Sequence, residues 1–176
     1  VDWKNSTRKE VAVRHGQAQQ ALRPAKNIFF SNEKLKITTS VHLMQSLCMT
    51  RQLFNVQVWP ELNKSDTKKQ HANVMRLYRT VAKMQTTADT GTHHKDEEVL
   101  TKLNVLSPEE CARVARLRYA GRLVTIAPKS LVALLKYEAQ VTNKAWIYLL
   151  HEDLRWMKEQ LPKLAQFPDP NDHIEP

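Results

Sequence analysis

Leu106-Ser107-Pro108-Glu109-Glu110-Cys111 opens the stretch from Leu106 to Leu164, the longest part of this chain in which apolar spacing, caps and breakers agree. Ser107 can cap free amide groups, Pro108 suits the first helical position, and Glu109 and Glu110 sit against the positive end of a helix. Leu106 and Cys111 stand at the spacing of a hydrophobic staple. In the helix that follows, Cys111, Val114, Ala115 and Leu117 build an apolar side while Arg113, Arg116, Arg118 and Arg122 project elsewhere. After Gly121 the pattern gives out, and Ala127-Pro128 begins a second helix that can reach Leu161, with Pro162 marking its end. Along it Leu131, Leu134, Leu135, Val141, Trp146, Leu149, Leu150, Leu154 and Met157 recur in steps of three and four, which predicts lengthwise packing on neighbours. The β-branched pair Val141-Thr142 permits a bend or break near its middle.

Outward from this stretch, the organisation reads as five segments. Residues 165–176 form a Pro-rich C-terminal tail, and residues 86–105 a polar loop with Gly91 and His93-His94. Residues 39–85 hold two amphipathic helices. The first is capped by Thr39 or Ser40 and carries Val41, Met44, Leu47, Cys48 and Arg51 on one side. Trp59-Pro60 and Asn63-Lys64-Ser65-Asp66 break it, and the second starts at Ser65 or Asp66 with Val74, Leu77, Tyr78, Val81 and Met84 on its apolar stripe. Residues 1–38 form a basic extended arm without sustained periodicity, in which a short helix over Arg8–Leu22 ends before Pro24. Such an arm orders on a partner. The fold class is therefore all-α: extended long helices with a basic, largely irregular N-terminal arm.

Composition narrows the functions. A chain of 176 residues can bury about 70% of its unfolded surface. With 41% apolar and 26% charged residues, no apolar run approaches the roughly 20 residues of a membrane span. Three glycines, Gly16, Gly91 and Gly121, cannot write a phosphate-cradling loop or a dinucleotide fingerprint. Cys48 and Cys111 match no zinc spacing and give no disulfide framework, so both read as buried thiols in a reducing compartment. Val1 in place of Met fits a processed N-terminus, such as one left by a removed transit peptide.

The net charge is +9, and its distribution says more than its size. Residues 1–40 carry eight Lys/Arg against three Asp/Glu, residues 41–90 seven against three, and residues 91–176 twelve against twelve. A cationic first half joined to a balanced second half suits a scaffold that neutralises phosphates and gains affinity from released counterions. The candidate RNA contacts are Lys4, Arg8, Lys9, Arg14, Arg23, Lys26, Lys68 and Lys69, together with Arg113, Arg116, Arg118 and Arg122, whose planar guanidinium groups match phosphate oxygens. The competing reading is a solvated face with local pairs, for instance Glu109 to Arg113. Trp3, Phe29, Phe30, Trp146 and Trp156 are the candidate partner-packing anchors. His151-Glu152 and His93-His94 lack the rest of any catalytic or metal site, so no enzyme activity and no cofactor is expected.

Two resemblances add to this reading. Leu77-Tyr78-Arg79 resembles the name-giving tripeptide of the LYR-motif family, small mitochondrial helical proteins that bind acyl carrier protein or serve as respiratory-complex accessory subunits. Asn143-Lys144-Ala145-Trp146-Ile147-Tyr148-Leu149-Leu150-His151-Glu152, followed by Phe167-Pro168-Asp169-Pro170, resembles the mitochondrial large-subunit ribosomal protein of the L-twenty-nine family. That family shares a Lys, a Trp two residues later, a Leu pair, a Glu and then a Pro-containing turn. The second resemblance implies structural binding to ribosomal RNA in the mitochondrial matrix, with Lys144 facing phosphates and Trp146 anchoring its helix. The expected function is a structural constituent of the large mitochondrial ribosomal subunit, in hetero-assembly with ribosomal RNA and neighbouring ribosomal proteins. The alternative is an LYR-like accessory subunit or acyl-carrier-protein partner.

Overall fold

In the computed structural model, which describes residues 7–32, 34–84, 94–141 and 146–160, every regular element is helical. Trp3, Lys4, residues 86–93, Lys144 and everything from Leu161 onward lie outside the described residues. Two units divide the chain at Ala112–Arg113.

The first unit is organised by the helix Lys64–Ala82, which follows shorter helices at Arg8–Ala25 (α1), Ile37–Met44 (α2) and Thr50–Gln52 (α3) and is α4 in chain order. Its start is set one or two residues before the expected Ser65 or Asp66: the Asn63 side chain accepts from the Asp66 amide at 2.9 Å and closes the first turn. Val74, Leu77, Tyr78 and Val81 then recur every three or four residues and are all buried, so one face of the helix is core. Burial of a side chain such as Leu77 stabilises the fold by about 2–3 kcal/mol. The helix ends where Lys83 turns left-handed, with the Met84 amide donating to the Arg79 carbonyl at 3.0 Å and Lys102 Nζ donating to the Ala82 carbonyl at 2.9 Å.

The segment expected as an irregular arm is instead largely helical. α1 runs eighteen residues from Arg8 and passes through Pro24. Val11, Ala18, Leu22 and Ala25 are buried on one side, and the last three join the core shared with α4. Pro24, which supplies no amide to the Gln20 carbonyl one turn before it, is exposed, as is Gln20. A π turn, Lys26–Phe30, follows and delivers Phe30 into the core. Thr7 donates to Asp66 Oδ2 at 3.1 Å, fastening the start of α1 to the start of α4.

Ser40 and Thr39 do not cap the next helix. α2 begins at Ile37 after the extended Lys36, and Ser40 lies buried within it. A second π turn, Gln45–Met49, links α2 to α3 and buries Cys48 and Met49. Methionines 44, 49 and 75 gather here, flexible side chains suited to the irregular gaps that a widened helical turn creates. A buried polar bridge crosses this interface: Gln52 Nε2 donates to Gln70 Oε1 at 3.0 Å, while Gln52 Oε1 stands 3.4 Å from His15 Nδ1.

The expected loop over residues 86–105 contains a helix, α5, at Asp96–Leu103. Three consecutive acids occupy its first turn, and Val99 and Leu103 join the core. Only three strongly apolar residues, Val99, Leu100 and Leu103, mark it in the sequence, too few to stand out among acids. α6, Pro108–Ile126, opens on a reciprocal capping box: the Ser107 amide donates to Glu110 Oε2 at 2.8 Å, and the Glu110 amide donates to Ser107 Oγ at 3.2 Å.

In the second unit α6 is followed by α7, Lys129–Val141, and α8, Trp146–Gln160, which pack against each other. The single helix expected to reach Leu161 is thus two helices in the described residues, α7 ending at the first of the β-branched pair Val141-Thr142. Tyr119 of α6 meets Trp146 of α8 edge to face, ring centres 5.9 Å apart. Among the residues of this unit whose burial is described, Asp153 alone is fully buried, and it is held by two arginines of α6.

Candidate nucleic-acid interface

α4 sets the geometry of the basic surface. Its core face takes Val74 and its neighbours, and the turn of about 100° per residue carries Lys68, Lys69 and Arg76 to the other side, where all three are exposed. Lys83, also exposed, stands seven residues beyond Arg76, which in turn stands seven beyond Lys69. The one acid of α4, Asp66, is buried and accepts hydrogen bonds from Thr7 and Asn63, so no carboxylate of this helix interrupts the outward face. Lys68, Lys69 and Arg76 make no ion pair with a described carboxylate. Arg76 and Lys83 extend a series whose first members the sequence had marked. The signal was the seven-residue step, which keeps side chains on one helical face.

On α1, Arg8, Lys9 and Arg23 are exposed, as is Lys26 just after it. Arg14 differs: it is ion-paired with Glu10 at 2.6 Å and lies 4.5 Å over the Phe54 ring, so it is engaged within the fold. The arginines of α6 also divide. Arg118 and Arg122 are exposed, whereas Arg113 and Arg116 reach Asp153 at 3.3 and 2.5 Å, and Arg113 lies 5.6 Å over the Trp156 ring. These two serve as internal partners, because a buried carboxylate demands compensating donors. The pairing expected between Glu109 and Arg113 does not form; Glu109 meets His71 instead.

The aromatic anchors are likewise used inside the chain. Phe30 is buried, Phe29 packs against the same core, and Trp146 and Trp156 contact Tyr119 and Arg113. Trp3, Lys4 and Lys144 lie outside the described residues.

The acids nearest α4 are drawn onto its flank at His71 and Arg79. His71 Nε2 lies 2.7 Å from Asp96 and its Nδ1 2.8 Å from Glu109, while Arg79 pairs with Asp96. Burial by itself lowers the His71 pKa, but the hydrogen bonds and charges of Asp96 and Glu109 outweigh it and raise the value above the ordinary 6.5. Asp96 moves the other way: burial raises it, and His71 with Arg79 overcomes that and holds it below 3.8. The His71 contribution to stability is therefore complete below pH 6.5 and is lost as pH rises through the raised value. The Asp96 contribution is present above 3.8 and lost as pH falls through the lowered one. His15, whose pKa burial pushes down, has the opposite slope, so the readout is a difference. Thermal midpoints measured from pH 6 to 9 should fall more for the wild type than for His71→Gln; parallel curves would contradict the clasp.

Comparison with protein-family models, with curated proteins and with solved structures returns no match.

Proposed function

We propose that this chain is a structural, non-catalytic subunit of a ribonucleoprotein assembly, holding RNA phosphates on the basic face of α4 and the exposed cations of α1. The observation that carries the reading is the outward row of Lys68, Lys69 and Arg76 on a helix whose single carboxylate is buried. Phosphate neutralisation by such a row needs no sequence-specific pocket. The resemblance around Asn143–Glu152 extends the proposal to the large subunit of the mitochondrial ribosome, with neighbouring ribosomal proteins as further partners in the matrix. No helix among the described residues is long and apolar enough to cross a membrane. The LYR-like alternative has less support, because Leu77 and Tyr78 are spent in the core and Arg79 is tied to Asp96.

The test is a salt series. Binding of a labelled RNA hairpin by the full chain should weaken steeply from low to high salt. Replacing Lys68, Lys69 and Arg76 together by Gln should flatten the logarithmic slope by about 2 and weaken binding roughly 10- to 100-fold at low salt. Affinity unchanged by salt, or unchanged by the triple substitution, would remove the α4 face from the mechanism.

A further inference from the structure

The row on α4 has a geometry as well as a charge. Lys69, Arg76 and Lys83 follow one another in steps of seven residues, so they stand about 10.5 Å apart along the helix and span about 21 Å. Lys68, beside Lys69, is exposed as well. Ser65 and Ala72, on the same side, are small and exposed, so no bulky side chain keeps a ligand backbone away from the cations. The rest of the helix is covered, because α1, α2 and α5 all pack on it. A helix held in this way presents a strip and cannot sink into a groove to read base edges. Its cations meet phosphates.

What the strip lacks indicates which form of RNA it suits. Single strands are held by flat rings on which successive bases stack, set along a basic groove. α4 has two flat rings, and neither is open: Tyr78 is buried, and His71 is held through both ring nitrogens by Asp96 and Glu109. Elsewhere in the first unit Phe30 and Trp59 are buried, Phe29 packs against the core, and the Phe54 ring has the Arg14 guanidinium over it at 4.5 Å.

A double helix needs no such rings, since it is recognised through its backbone and its shape. Counting both strands, a duplex such as B-DNA carries one charge per about 1.7 Å of axis, and its stiffness keeps it straight far beyond the length of the row. Each phosphate neutralised adds about 0.9 to the salt slope on a duplex and about 0.7 on a single strand. A rigid, straight row therefore gains more from a duplex, and a single strand must also lose conformational freedom to follow it. The acids carried to the flank of α4, Asp96 and Glu109, are compensated by Arg79 and His71.

We infer that α4 binds double-helical RNA along its phosphate backbone, with Lys69, Arg76 and Lys83 as successive contacts and Lys68 beside the first. The inference rests on the RNA reading above and narrows it: the ligand is a stem, recognised by charge and shape and not by sequence.

The experiment titrates the full chain with a labelled RNA hairpin whose stem has about 16 base pairs, and with an unstructured oligouridine of equal phosphate count, over a series of salt concentrations. The hairpin should bind at least about tenfold more tightly at low salt and show the steeper logarithmic slope. Lys83→Gln should lower the hairpin slope by about 1, whereas Lys83→Arg, which keeps the charge, should leave it unchanged. Circular dichroism of both variants should match the wild type, since Lys83 is exposed. A second hairpin of unrelated stem sequence should bind within about threefold of the first. Equal or tighter binding of oligouridine would overturn the inference while leaving RNA binding itself in place. A slope that Lys83→Gln does not move, or a preference of about tenfold between the two stems, would overturn it as well. Absence of binding to either RNA would remove the reading on which it rests, and the inference with it.

Discussion

Replacing Asp153 by Ala should speed amide hydrogen exchange in α8 and in the Arg113–Ile126 part of α6 by about 100-fold, a loss of roughly 3 kcal/mol, while exchange in α4 stays unchanged. The expectation follows from what stands at the centre of the second unit. Among the residues of this unit whose burial is described, the apolar side chains are half-buried or exposed and the fully buried one is a carboxylate, 1% accessible, accepting from Arg113 and Arg116. The Arg116 guanidinium donates to both carboxylate oxygens, Nε at 2.5 Å and Nη2 at 3.0 Å, the planar two-point geometry that Lys cannot copy. Removing the acid leaves two cations facing each other with no anion, which costs more than the pair itself contributes. Arg113 is one-third exposed and can turn to water, so the loss sits at the lower end of the range for buried pairs. Replacing all three charges together, as Arg113→Met, Arg116→Leu and Asp153→Leu, should restore most of the protection or exceed the wild type. Wild-type exchange in Asp153→Ala would show that the helices are held by other contacts.

The same triad explains what the amino-acid pattern conveyed and what it did not. The capping box at Ser107 and Glu110 was legible because its partners lie three residues apart and its geometry depends on nothing distant. The stripe of α4 was legible because four strongly apolar residues repeat with helical period. Arg113 and Arg116 looked like surface cations because the acid that claims them lies about forty residues away. No local rule reaches that far. α1 was obscured differently: two of its four buried positions are Ala18 and Ala25, too weakly apolar to register, and Pro24 imitates a stop signal although the helix passes through it. α5 was lost among its own acids, and the role of Asp96 at its first turn becomes visible only when His71 and Arg79 of α4 are seen to receive it. For the candidate interface, the sequence supplied the basic residue types. The fold separated those facing outward, such as Lys68, Lys69 and Arg118, from those consumed inside, such as Arg14 and Arg116.

Tyr78→Ala should destabilise the first unit by about 4 kcal/mol, whereas Tyr78→Phe should cost about 1 kcal/mol. Tyr78 is 1% exposed within the core shared by α1, α2, α4 and α5, and its hydroxyl donates to the Leu106 carbonyl at 3.2 Å, beside Cys111 Sγ at 3.8 Å. Burial, reinforced by Cys111, raises the phenol's pKa far above its ordinary value, so the group stays neutral and acts as a donor throughout the useful pH range. The ring thus fills the core while its tip ties α4 to the residue that precedes the Ser107 capping box. Both variants take the hydroxyl donor from the Leu106 carbonyl; alanine adds the cavity left by the ring. Urea unfolding of the three proteins, followed by far-ultraviolet circular dichroism, measures the two costs. The comparison also decides how the Leu77-Tyr78-Arg79 tripeptide functions. If it is a packing element, Tyr78→Phe and Arg79→Gln leave RNA affinity unchanged and create no defect in partner binding beyond what lost stability explains. If either substitution releases acyl carrier protein from a chain that still unfolds with a near-wild-type midpoint, the tripeptide is a recognition motif and the LYR-like alternative displaces the ribosomal one. The physical reason to expect the first outcome is that a side chain cannot be core and contact surface together: reaching a partner would require Tyr78 to leave a packed site whose vacancy costs about 4 kcal/mol, a population penalty of roughly a thousandfold.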